Sequence, residues 1–119
     1  MTEPRTPARL VRQARDLIEE VNRAMLDGPV PSAPELSETV QALKSLIERL
    51  PQAFDQSAAT LTGLAANDKI VMDTGEDPAA AAAEAAAGLR AVSANTEQLA
   101  KELGTPASVM FHMGGPGNR

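Results

Sequence analysis

The sequence predicts an all-α protein, an antiparallel bundle of three or four helices with a flexible C-terminal tail. Three observations carry that expectation. Alanine supplies 22 of the 51 apolar residues and leucine 12, while tryptophan and tyrosine are absent. Such a composition suits close helix packing and is poor for a sandwich or barrel, which draws on aromatic and β-branched side chains. Apolar positions recur in steps of three and four through most of the chain, which is the helical period. Proline and glycine then cut the sequence into pieces of helical length. At 119 residues the chain is long enough for one ordinary domain. The expected organisation is an N-terminal arm over 1–6, a bundle over 7–104 and a tail over 105–119. The 29 apolar residues larger than alanine promise a thin, leucine-dominated core that a monomer can close.

The first helix is expected over 7–26. Thr6 can cap it and Pro7 suits its first position. Leu10, Val11, Ala14, Leu17, Ile18, Val21, Ala24 and Met25 fall within an arc of about 140° at 100° per residue. Asp27-Gly28-Pro29-Val30-Pro31 then ends it.

The second segment opens at Ser32-Ala33-Pro34-Glu35, which resembles a capping box. Leu36, Val40, Leu43, Ile47 and Leu50 step 4-3-4-3, a heptad seam. Pro51 interrupts the backbone, yet Phe54, Ser57, Leu61 and Leu64 continue the count. Either two helices, 34–50 and 51–67, meet at Pro51, or one helix is kinked or tightly jointed there. Preserved register favours the second. The pattern fades between Ala66 and Asp77, where Asn67-Asp68 and Gly75-Glu76-Asp77 read as turns around the short apolar run Ile70-Val71-Met72. Asp77-Pro78 restarts a helix expected over 77–103, through Ala82, Ala85, Leu89, Val92, Thr96, Leu99 and Leu103. Its alanine-rich first half allows a neighbour to approach closely, and Gly104-Thr105-Pro106 reads as its stop.

Leu50-Pro51-Gln52-Ala53-Phe54-Asp55-Gln56, followed by the turn and Asp77-Pro78-Ala79, resembles small, largely uncharacterised α-helical proteins of actinobacteria, some encoded near plasmid or integrative-element genes. The resemblance spans roughly residues 35–103. It implies a helical bundle in a bacterial cytosol, and no activity or functional residue.

Chemistry-bearing residues are sparse. With no cysteine, disulfides, thiolate metal sites and cysteine nucleophiles are excluded. His112 is the one histidine, too few for a histidine metal cage. Ile70-Val71-Met72-Asp73-Thr74-Gly75 matches the apolar-Asp-Thr-Gly signature of aspartic proteases, but that chemistry needs paired aspartates on a β scaffold, and the flanks here read as helix. The preferred reading is a solvated turn. Taken as a calcium loop from Asp73, the same stretch puts Pro78 where position six needs glycine, so capping is the better account of its acids. The serines lie in no nucleophile context and no phosphate loop exists. The expected protein is therefore not an enzyme and carries no cofactor or metal.

Eleven basic against sixteen acidic residues give a net charge of −5, which disfavours general nucleic-acid binding. Arg5, Arg9 and Arg12, with Arg23, share a stripe of the first helix. Five acids in residues 1–27 balance its five arginines, and Arg12–Asp16 and Arg15–Glu19 are expected as i, i+4 pairs. A salt-paired solvent face is preferred, with a nucleic-acid accessory role through Arg5, Arg9 and Arg12 as the alternative. No run reaches the roughly 18 to 20 apolar residues of a membrane span. The beginning Met-Thr-Glu-Pro-Arg lacks a signal-peptide pattern, so a cytoplasmic protein is expected.

The functional expectation is thus a protein-interaction module, an adaptor, regulator or assembly component working through a helix face. Its partner-binding candidates are Leu36, Val40, Leu43 and Ile47 on the heptad seam, with homodimerisation expected from that seam. Met110 and Phe111 of the apolar tail are the others. For the tail, folding back to cap the bundle is preferred over docking into a partner groove.

Overall fold

The structure, a computed structural model, describes residues 4–116. It is all-helical, with three helices and no strand among the described residues: α1 Pro7–Asp27, α2 Ala33–Ala66 and α3 Pro78–Phe111. The outer ends of the predicted arm and tail, residues 1–3 and 117–119, lie outside that range. The chain divides into two compact units, residues 1–32 and 33–119.

The first unit is α1 and its flanks. Thr6 holds extended backbone and its hydroxyl accepts from Arg9 N–H at 3.2 Å, with Pro7 opening the helix. These are the local signals the sequence carries. Gly28 closes it, its N–H donating to the Ala24 carbonyl at 2.9 Å. No residue of α1 is buried, and Val11, Leu17 and Met25 are all more than half exposed.

The second unit is a hairpin of two 34-residue helices, α2 and α3. Two hydrogen bonds between them fix an antiparallel alignment. Ser93 Oγ donates to the Pro51 carbonyl at 3.1 Å, and Gln41 Nε2 donates to the Ala107 carbonyl at 3.1 Å. The residue number rises along one helix as it falls along the other.

The turn between them is built locally. Asp68 N–H donates to the Ala65 carbonyl at 3.2 Å and Lys69 N–H to the Leu64 carbonyl at 2.9 Å, which together close α2 in a Schellman motif. Asp68 takes the left-handed position of that motif, with φ 55°. Asp77 then caps α3, its Oδ1 accepting from Ala79 N–H at 3.3 Å.

Three outcomes bear on these expectations. First, the favoured single helix holds over the four-helix alternative: α2 runs unbroken through Pro51, and the described residues form three helices. Proline forfeits the bond its N–H would give the Ile47 carbonyl, but Pro51 is buried and its own carbonyl is engaged by Ser93. Tertiary contact offsets the local defect. Second, α3 does not stop at Gly104, and the first half of the predicted flexible tail is helix, through Pro106 to Phe111. Ala107 is only 2% exposed and its carbonyl is held by Gln41, so packing against α2 carries the helix past two breakers. Third, the core is not leucine. The buried residues of the hairpin are Ser37, Pro51, Ala58, Ala82, Ala86, Ser93, Ala100 and Ala107. Small side chains at the contact let helix axes approach toward the lower end of the roughly 8–10 Å range, which leaves no room for larger ones between them.

Candidate functional site: the apolar face of the hairpin

All the buried residues of the hairpin but Ala82 follow a seven-residue repeat. On α2, Ser37, Pro51 and Ala58 are buried, and Lys44 and Ala65, at the same heptad position, are half-buried. On α3, Ala86, Ser93, Ala100 and Ala107 are buried at intervals of seven. This stripe of small residues is the line along which the helices meet. Gly104 lies beside Lys44 of α2, where an added methyl would make ordinary contact with Lys44 Cε at 3.9 Å.

Most of the large apolar side chains lie to one side of that line, with Leu46, Val109 and Phe111 outside the group. On α2, Leu36, Leu43, Leu50 and Leu64 come one residue before stripe positions, and Val40, Ile47, Phe54 and Leu61 come three after. On α3 the same two offsets hold Ala85, Val92 and Leu99, and Ala82, Leu89, Thr96, Leu103 and Met110. Equal offsets rotate in the same sense about each helix axis. Because the helices are antiparallel, that shared sense turns both sets toward one face of the hairpin. None of these positions carries a charge.

The other face is polar. Glu48 and Glu97, four residues after stripe positions, line one groove with Lys44 and Lys101. Lys44 Nζ and Glu48 Oε2 pair across one turn at 3.3 Å. Asp55 and Arg90 line the continuation of this groove.

The apolar face is therefore only partly covered by the chain's own hairpin. Leu64, Val92 and Leu99 are 43%, 42% and 47% exposed. The predicted partner-binding residues Leu36, Val40, Leu43 and Ile47 all sit on it, each half-buried. Leu89, Val92, Leu99 and Leu103 of α3 complete the face. The sequence shows them as a helical seam, but that they join the α2 leucines becomes visible only once the small-residue line is known.

Met110 is half-buried at the end of the same face, whereas Phe111 is 71% exposed in the last turn of α3. Phe111 and Met113 border a cleft with Pro34, Ser37, Glu38 and Gln41 at the start of α2. The Phe111 and His112 rings meet edge to face at 5.5 Å.

The remaining candidates fall elsewhere. Arg5 and Arg12 are exposed; Arg9 is half-buried and its Nη1 donates to the Pro4 carbonyl at 3.5 Å. Arg15 donates from Nε and Nη2 to Asp16 Oδ1 at 3.1 and 3.0 Å, a pairing with its sequence neighbour where the helical spacing suggests Glu19. Asp73 lies exposed in the connection between α2 and α3, flanked by no strand, with Gly75 at φ 81°. Among the described residues no group of three or more acids or histidines is arranged to hold a metal ion, and no helix is long and apolar enough to cross a membrane.

Comparison with known proteins finds no matching family model, no similar curated protein and no similar solved structure.

Proposed function

We propose that this chain is a non-enzymatic protein-interaction module, an adaptor, regulator or assembly component, that works through the apolar face of its α2–α3 hairpin. One observation carries the reading: two 34-residue helices present a charge-free face on which Leu50, Leu64, Val92 and Leu99 remain 36–47% exposed while its other leucines and Val40 are half-buried. Contiguous apolar surface of this kind is costly in water and marks sites of association. The proposed setting is the cytoplasm, and the finished assembly is a helical bundle in which the face is covered.

A photo-crosslinking amino acid at Leu50 of the full chain, on the face, tests this against the same group at Gln52, on the polar side. The expected result is protein-to-protein crosslinks from position 50 and few from position 52. Crosslinks absent from position 50, even between copies, overturn the reading.

The exposed Arg5 and Arg12 support the alternative of a nucleic-acid accessory role. Under that alternative a low-salt gel shift is expected and weakens when Arg5, Arg9 and Arg12 are replaced by alanine. No retardation, or retardation indifferent to those changes, removes it.

A further inference from the structure

We infer that the occupant of the apolar face is the same face of a second copy of this chain, two hairpins closing into an antiparallel four-helix bundle. The inference rests on the interaction reading above and names its partner.

The argument is one of length, area and charge. Each hairpin helix has 34 residues, about 51 Å at 1.5 Å per residue. Two helices of roughly 10 Å diameter side by side make a face of about 1,000 Å². A stable protein–protein interface buries about 800 Å² per partner, so pairing two such faces is sufficient for a dimer. The 21-residue α1 is only about 32 Å long and one helix wide, too small to cover the face alone. A second hairpin matches the face in length and width.

Charge favours the same occupant. With no ionised side chain at the two heptad positions that form the face, a copy meeting itself brings no like charges together. A net charge of −5 per chain would oppose self-association only through the opposite, solvated face and the outer flanks. Two-fold pairing of identical patches is the commonest closed arrangement of soluble chains, and hairpin-on-hairpin packing gives the four-helix bundle.

The test uses the full chain. Light scattering should give a mass twice 12.4 kDa at micromolar concentration, falling toward 12.4 kDa on dilution. Leu43→Glu with Leu99→Glu, both on the face, should weaken the dimer about 100-fold or more, since each carboxylate would have to be desolvated. Gln52→Glu on the polar side should leave the mass unchanged. Because the double variant can fail to fold, the thermal midpoint of the unaltered chain is read as well. It should rise with protein concentration, as it must when folding and pairing are linked.

A chain that stays at 12.4 kDa with a concentration-independent midpoint overturns self-pairing. In that case crosslinks from position 50 to a different protein leave the interaction reading standing. Crosslinks from position 50 to residues 7–27 of the same chain make α1 the occupant. A dimer that survives the two glutamates with helicity intact overturns the inference by placing the interface elsewhere.

Discussion

Ser93 Oγ donates to the carbonyl of Pro51 at 3.1 Å, across 42 residues of sequence and at the centre of the α2–α3 contact. Ser93 is 3% exposed and Pro51 is buried. The bond ties Pro51, a helix position that cannot donate, to a residue small enough to reach it. Ser93→Ala removes the donor and leaves the carbonyl its intrahelical partner, so the expected loss is about 1 kcal/mol of unfolding free energy. Urea unfolding followed by circular dichroism measures it. No change in midpoint would show that the bond contributes nothing to stability.

The stripe of small residues requires that nothing larger fits. Ala58 is 0% exposed, whereas its neighbour Ala59 is exposed. Ala58→Leu should destabilise the hairpin by about 1–3 kcal/mol through overpacking. Ala59→Leu should stay within about 0.5 kcal/mol. Equal effects at the two positions would contradict the seam.

Asp68 holds φ 55° where a Schellman motif normally places glycine. Asp68→Gly relieves the left-handed cost and should stabilise the protein by about 0.5–1 kcal/mol, less whatever the freer unfolded chain takes back. A rise in thermal midpoint is the expected readout; a fall would mean that the aspartate side chain is needed in the turn.

Local signals were the legible part of this chain. Thr6-Pro7 and Asp77-Pro78 announce helix starts because capping depends on a few neighbouring residues, and both cap as the sequence suggests. Register maintained from Leu36 to Leu64 pointed to a helix persisting through Pro51. What local rules could not supply was the strength of tertiary contact. Gly104 and Pro106 are breakers by propensity, and only the burial of Ala107 against α2 explains why α3 continues. The core was misplaced by one residue for a similar reason. Hydrophobicity singles out Leu36, Leu43 and Leu50, but the line of contact runs through Ser37, Lys44 and Pro51 beside them. A signal for it was present in the alanines and serine at 79, 86, 93, 100 and 107, each seven apart. Small residues at heptad spacing mark close approach as plainly as leucines mark a wider seam. The leucines of α2 were thus correctly found on a face of the helix, although they lie beside the α2–α3 contact line and not on it.

The central claim is that α2 and α3 meet along their small residues, which leaves the leucines facing outward. The chain has no cysteine, so one engineered pair can report on it without competition. Ala58 lies seven residues after Pro51 and Ala86 seven before Ser93, which sets them opposite each other in the antiparallel alignment. Ala58→Cys with Ala86→Cys should therefore form a disulfide within one folded chain under mild oxidation, faster than in denaturant. Leu50→Cys with Val92→Cys, the pair a leucine-centred contact would favour, should form an intrachain bond far more slowly. If the second pair closes readily and the first stays reduced, the helices meet along their leucines and the outward apolar face does not exist.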